Sequence, residues 1–373
     1  MESYDLIIIG GGIGGAASAF RAAQNGMAVA WVLGNKETRA RSRSQWVYNL
    51  DNMIGFHEGV IKNQVLRTLK RGKQNAAYDL VSEQHYLINN KGIIGNTIER
   101  IEEEFPQVSL IHEAAVDVVK TDTGFEVKSE SQAMQAPAVI LATGMMDSQP
   151  AILKKNKKGE LRDDPSWIYP YANKEKVLYC IRCEGHLTRE ERVGVIGSDD
   201  TAAEIAFLFK ERYKNEVCIL TNGEEPDITP ERQFLLDHYD IPVYKSRIID
   251  VVNEKKDLRG FQLQDESEGK VYLKFAMVSL GIFNVYNEFA VKVGCDLMNK
   301  DKPVNQRYVR VDRIGESSVS NFFVVGDAAS RDDEPMMKQV YTAQEYAVRA
   351  VDSIDRTRRQ TQRQAILKNF QAQ

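Results

Sequence analysis

Asp5-Leu6-Ile7-Ile8-Ile9-Gly10-Gly11-Gly12-Ile13-Gly14-Gly15-Ala16 is the stretch on which the fold turns. A short apolar run ends in glycines, and an alanine-rich run with helical spacing follows over residues 16–24. Gly10, Gly12 and Gly15 satisfy GxGxxG. The first glycine permits a tight turn, the second lets backbone approach a pyrophosphate, and the third lets helix and strand pack closely. The free N–H groups and positive dipole end of the helix then face the phosphates, which brings Ile13 and Gly14 into the candidate site. A lone GxGxxG says little; a strand before it and a helix after it are the context that gives it meaning. Asn25-Gly26 stops the helix, and residues 27–33 read as a second parallel strand covered on both faces. An acidic residue for the ribose hydroxyls is expected at the end of that strand. Gly34-Asn35 stands there instead, with Glu37 slightly beyond, so Asn35 becomes the candidate ribose contact.

Further along, residues 138–141 read as a buried strand ending in Ala142-Thr143-Gly144. The polar stretch 147–176, with the turn signals Asp164-Pro165 and Pro170, reads as a linker or excursion between domains. Its cluster Lys154-Lys155-Asn156-Lys157-Lys158 reads as a solvated loop, with docking of an acidic electron carrier as the alternative. A second strand–turn–helix–strand unit follows over 192–196, 197–201, 202–210 and 216–220. Residues 321–325 form a strand ending in Gly326-Asp327, residues 336–354 a helix, and the basic tail 355–373 extends it. Two such units predict an α/β fold of two Rossmann-like dinucleotide-binding domains, the second inserted into the first. The expected division is 1–150 for the first part of the outer domain, 151–283 for the insert, and 284–373 for the second part.

With 373 residues, the chain suits about two domains. A net charge of −4 argues against a nucleic-acid partner, which leaves a basic excess. No window reaches the ~18 consecutive apolar residues of a membrane span. The first apolar run leads straight into glycines, so it reads as a strand and not a signal peptide, and a cytoplasmic location is expected. Four cysteines do not make a disulfide framework in a chain of this size; a close pair in a reducing compartment is redox-active or metal-binding.

That pair is Cys180-Ile181-Arg182-Cys183-Glu184-Gly185-His186. Cysteines three apart can close a small disulfide. The charge of Arg182 between them favours the thiolate, the reactive form. Glu184 and His186 are candidate proton donors for a leaving thiolate. The competing reading is half of a zinc site, for which Cys218 and Cys295 would have to be partners from unlike contexts. Cys218 lies in an apolar strand and reads as core. Trp31 and the apolar Phe322-Phe323-Val324-Val325 also read as core. Trp46, Tyr48 and His57 flank a segment discussed next.

Taken together, these pieces resemble the low-molecular-weight thioredoxin reductase family of flavoproteins, over nearly the whole chain and in the family's order. Gly10, Gly12 and Gly15 look like the family's FAD glycines. Asn52-Met53-Ile54-Gly55-Phe56 is similar to its Asn-x-x-Gly-Phe segment near the flavin, where Trp46 and Tyr48 could shield the ring and His57 approach it. Ala142-Thr143-Gly144 matches its strand-end Ala-Thr-Gly, and Gly326-Asp327 its closing Gly-Asp. Gln339-Val340-Tyr341-Thr342-Ala343 matches its Gln-x-x-Thr-Ala. Cys180 to Gly185 matches its CxxC with the following acid and glycine, Glu184 standing where the family usually has Asp. The resemblance implies FAD held by the outer domain, with Val116 and Asn52 also among its contacts. It implies Cys183 facing the flavin, Cys180 attacking a partner disulfide, Glu184 as acid, and a homodimer.

One region departs from the family. Where it has Gly-x-Gly-x-x-Ala for NADPH, this chain has Gly197-Ser198-Asp199-Asp200-Thr201-Ala202. Asp199 replaces the glycine that admits a pyrophosphate and adds a negative charge, and like charges at ~4 Å cost on the order of 1–4 kcal/mol. The His-Arg-Arg cluster expected for the 2′-phosphate reads Thr221-Asn222-Gly223-Glu224-Glu225. We therefore expect a disulfide oxidoreductase that does not use NADPH. Its electrons would be exchanged with ferredoxin, a second flavin in the vacated pocket, or oxygen. Its partner would be a thioredoxin-like protein, another disulfide protein or a small dithiol. A conventional NADPH-dependent reductase, an oxygen-dependent dithiol oxidase and a non-catalytic flavin-binding redox regulator are the alternatives.

Overall fold

The computed structural model of the chain describes residues 1–45, 52–53, 90–155, 158–255, 257–265, 267 and 269–371. The chain forms two compact units. One comprises residues 1–45, 90–146 and 282–373, and the described part of the other runs mainly over 147–281.

The first unit is built on a five-stranded parallel sheet. Its strand order is Phe322–Val324, Val139–Leu141, Leu6–Ile9, Val29–Val32, Val108–Ile111. Leu6–Ile9 and Val29–Val32 are buried at every position, because helices or a further sheet cover both faces of a parallel sheet. Helix Ile13–Gln24 crosses from the first to the second of these strands and packs on the C-terminal helix Val340–Gln371. Arg21 donates to Asp352 at 2.7 and 2.9 Å, pinning the two helices together. Trp31 is fully buried, as its sequence context implies, and its indole N–H also donates to Gly10 O at 2.9 Å. An antiparallel layer, Ala115–Thr121, Gly124–Ser129 and Ala133–Ala136, is inserted before Val139–Leu141. The helix expected at 336–354 starts later, at Val340, and runs on through the basic tail.

The second unit repeats the theme with the order Val177–Leu178, Phe275–Val278, Arg192–Ile196, Glu216–Leu220, Val243–Tyr244, all parallel. Helix Asp200–Tyr213 makes the crossover, and Ala202, Ala203, Ala206, Phe207, Phe209 and Tyr213 are its buried positions. A three-stranded antiparallel sheet, Ile248–Glu254, Asp257–Leu263 and Lys270–Tyr272, accompanies it. The stretch 147–176 is not a linker. It contains the hairpin Ile152–Lys155 with Leu161–Asp164, then Ser166–Ile168 and helix Tyr169–Ala172. Trp167, Ile168 and Tyr171 are buried there, and the Trp167 ring meets Phe261 edge-on at 5.5 Å. Polar composition concealed these three core residues, which anchor the segment to its own unit. Lys154 and Lys155 belong to that hairpin and Lys158 to its exposed turn, while Asn156 and Lys157 lie outside the described residues.

Candidate dinucleotide and disulfide sites

The glycines of the first turn divide the labour that their spacing predicts. Gly10 has φ +126°, and a Cβ there would overlap the carbonyl oxygen of Ala142. A Cβ on Gly15 would overlap the Gly10 carbonyl oxygen, so this residue sets the approach of helix to strand. A Cβ on Gly12 would meet nothing within 4 Å, so the turn is open on that side. Gly12 caps helix Ile13–Gln24 without a side-chain bond, and the first turn carries no acid. The N–H groups of Ile13, Gly14 and Gly15 at this helix start suit an anionic pyrophosphate.

Beside this turn, at the carboxyl ends of the parallel strands where ligands of open α/β sheets bind, lie Ala142 and the chain entering Gly326. Ala142 N–H donates to Ile9 O at 2.7 Å. Gly144 takes φ +71°, the Thr143 hydroxyl donates to Tyr286 O at 2.6 Å, and Tyr286 N–H donates to Gly144 O at 3.0 Å. Gly326 and Asp327 follow Val325, whose side chain lies 3.2 Å from where a Gly14 Cβ would be. Gln339 is buried, and Val340 opens the C-terminal helix with no acid in its first turn. Val116 is 57% exposed at an irregularity in strand Ala115–Thr121. Asn52 is half-buried in a turn, while Trp46, Tyr48, Ile54, Gly55, Phe56 and His57 lie outside the described residues. The open glycine turn and its helix start without a side-chain cap fit the pyrophosphate of a dinucleotide.

Three charged residues escaped the sequence reading. The Arg43 guanidinium pairs with Asp327 at 3.0 Å. Lys338 donates to Ala329 O at 2.5 Å and lies 4.1 Å above the Tyr308 ring. Burial pushes its amine down to about 8, with Asp327 opposing and Arg43 adding to the shift. The third, Glu130, lies beside Asn35. Asn35 itself is occupied: its side-chain oxygen accepts from Glu37 N and Thr38 N, both at 3.0 Å, and so caps helix Lys36–Ala40. None of these three could be found by motif, because each meets its partners only through the fold.

In the second unit Cys180 and Cys183 form a disulfide, with Cα atoms 5.3 Å apart. Cys180 is half-buried and caps the short helix Ile181–Glu184, whereas Cys183 is buried. The buried Glu184 carboxylate accepts from Tyr179 N at 3.1 Å and Cys180 N at 3.4 Å, tying down the backbone ahead of the first cysteine. Tyr179 is buried, and its hydroxyl donates to Gln149 at 2.5 Å. Burial, with Asp147 and Glu184 adding, pushes that phenol well above its usual range. His186 is exposed on the turn Gly185–Thr188. Cys218 is buried in strand Glu216–Leu220, which pushes its thiol up to about 12. Among the described residues no group of His, Cys, Asp and Glu is arranged to hold a metal ion.

The second glycine turn differs from the first in what fills it. Asp199 caps helix Asp200–Tyr213, its carboxylate accepting from Ala202 N at 3.0 Å. Asp200 accepts from Thr229 N at 2.8 Å and pairs with Arg232 at 3.2 Å. Asp227 N–H donates to Ser198 O at 2.7 Å, and Asp199 and Asp227 form an isolated parallel bridge. The segment after strand Glu216–Leu220 therefore folds back onto the turn. Glu224 and Glu225 are exposed on it. A cation does approach from elsewhere in the fold: the Arg247 side chain packs on Gly223, with its guanidinium paired to Asp163.

The family model described as pyridine nucleotide-disulphide oxidoreductase matches residues 4–347. A curated thioredoxin reductase of Ureaplasma parvum is 27% identical over 234 residues, which cover 63% of this chain and 59% of that protein's own length. Among solved structures, the thioredoxin reductase of Streptococcus pyogenes is similar with a TM-score of 0.70 at 16% identity, covering 94% of this chain and 97% of that one. The thioredoxin reductase of Giardia duodenalis gives 0.67 at 15%, covering 95% and 99%. At these identities the two structures establish the fold. No helix among the described residues is long and apolar enough to cross a membrane.

Proposed function

Because the chain belongs to the pyridine nucleotide-disulphide oxidoreductase family, we propose that it is an FAD-dependent disulfide oxidoreductase of thioredoxin reductase type whose reductant is not NADPH. FAD, when bound at the first glycine turn, would supply a carrier of electron pairs. The observation that carries the second half of the proposal is the Asp199 carboxylate on the N–H of Ala202. It takes the place that a pyrophosphate needs at a helix start, and it sets a second negative charge against one. The backfolded Asp227 segment supports the same reading.

Cys180–Cys183 is the redox-active pair. Two electrons and two protons open it to a dithiol. The Cys180 thiolate then attacks one sulfur of a partner disulfide, forming a mixed disulfide and releasing the partner's first thiolate. Cys183 attacks the Cys180 sulfur, restores the internal disulfide and releases the second thiolate. The burial order suits these roles, since Cys183 is buried and Cys180 half-buried. Glu184 holds the Cys180 backbone and, with the exposed His186, serves the departing thiolates as proton donor. Run backwards, the same exchange oxidises a dithiol. The partner is a thioredoxin-like protein or small dithiol, and ferredoxin, a second flavin or oxygen completes the electron path. We place the protein in the cytoplasm as a homodimer.

An anaerobic spectral titration with NADPH, NADH and dithiothreitol tests this. Dithiothreitol should bleach the flavin band and NADPH should not, and Cys183→Ser should abolish the dithiol response. Bleaching by micromolar NADPH, or an unimpaired Cys183→Ser protein, overturns the proposal.

A further inference from the structure

The strand Val29–Val32 ends without the carboxylate that ordinarily receives a ribose, since Gly34-Asn35 stands in its place. Asn35 cannot substitute, because its side-chain oxygen is committed to Glu37 N and Thr38 N. Its amide nitrogen, however, donates to Glu130 Oε1 at 2.7 Å. Glu130 belongs to the turn between strands Gly124–Ser129 and Ala133–Ala136, nearly a hundred residues away in sequence.

That turn is held in place. The Glu113 carboxylate accepts from the Ser129 hydroxyl at 2.5 Å, the Ser131 hydroxyl at 2.5 Å and Ser131 N at 3.0 Å. These three bonds, the Ser129 hydroxyl first, keep the Glu113 carboxyl below the usual carboxylate range. Ser129 N–H donates to Gln132 O at 2.9 Å and closes the turn. Glu113 is also tied to the strand end in question, since Gly34 N–H donates to its carbonyl oxygen at 3.1 Å. Val116, one of the expected cofactor contacts, sits at the irregularity beside Ala115, which pairs with Ser129. One edge of the sheet thus carries an exposed apolar side chain, a fixed turn and a carboxylate with one oxygen spoken for. Among the described residues Glu130 makes no hydrogen bond besides the one to Asn35.

We propose that Glu130 is the acceptor for the adenosine ribose hydroxyls of the bound dinucleotide, supplied by the Ser129–Gln132 turn in place of an acid at the strand end. The inference rests on the FAD reading above. A carboxylate can accept from both vicinal hydroxyls of a ribose, and hydrogen bonds to a charged group are the stronger kind. Asn35 positions it by holding Oε1 from the strand side.

The test compares three probes on the full-length chain stripped of flavin. FAD carries both halves, FMN lacks the adenosine, and ADP has only the adenosine half. Glu130→Ala should weaken FAD and ADP by about tenfold or more, as expected for loss of a charged acceptor. FMN binding should not change. Glu130→Gln, which keeps one acceptor and the shape of the side chain, should show the same selectivity with a smaller loss. Unchanged FAD affinity in both variants overturns the proposal. Equal losses of FAD and FMN also overturn it, since the residue would then be acting on the fold. A wild-type chain that binds neither FAD nor FMN removes the flavin reading itself, and this proposal with it.

Discussion

Gly12 and Gly15 have the same chemistry and opposite surroundings, and a single methyl group separates their roles. At Gly15 an added Cβ collides with a backbone oxygen that cannot move away without opening the turn. Gly15→Ala should therefore cost about 1–3 kcal/mol or more of stability. At Gly12 the same methyl meets open space, with φ −86° that any residue adopts. Gly12→Ala should lose only the small stability of a poorer helix cap, well below the loss in Gly15→Ala, and lose flavin affinity. Melting curves and flavin titrations on the two variants distinguish these outcomes, and a Gly12→Ala chain as destabilised as Gly15→Ala would contradict the assignment. Lys338 offers a pH-dependent counterpart. Its folded amine releases the proton above about 8, while the unfolded chain keeps it to the usual 10.5. Between those values the unfolded chain binds the extra proton, so this residue's contribution to stability rises with pH and is unfavourable below the window. In Lys338→Met that rise should vanish, and the variant should gain most over wild type below pH 8. Thermal melts of the two flavin-free proteins across the window check this, and parallel curves would refute it.

The two crossover helices, Ile13–Gln24 and Asp200–Tyr213, follow the same strand-and-turn pattern and differ in how they begin. One is capped by a bare glycine with no side-chain bond to its first N–H groups; the other satisfies one of its own with Asp199. Capping by a carboxylate stabilises a helix and, by the same contact, closes an anion site. Asp199→Ala should thus lower stability by about 1 kcal/mol in chemical denaturation. No loss would mean that the cap contributes nothing. Both strand–turn–helix units were legible from the sequence because their apolar runs, glycines and helical spacing are contiguous. The hairpin and helix within 152–172 were not, since their core residues Trp167, Ile168 and Tyr171 sit among charged neighbours.

On the scale of the whole molecule, the sequence determined that two parallel α/β units exist, where their glycine turns lie, and which two cysteines stand close enough to pair. Each of these is written in residues close together in the chain, where sterics and periodicity act directly. Only the tertiary structure decided which charges meet. Arg43 finds Asp327 across 284 residues, and Glu130 reaches Asn35 across 95. Arg247, just after the strand Val243–Tyr244, packs on Gly223, whose sequence neighbours Glu224 and Glu225 are acids. Electrostatic and hydrogen-bond partners are chosen by distance in space, which the order of residues does not encode until the sheets and crossovers bring strand ends together.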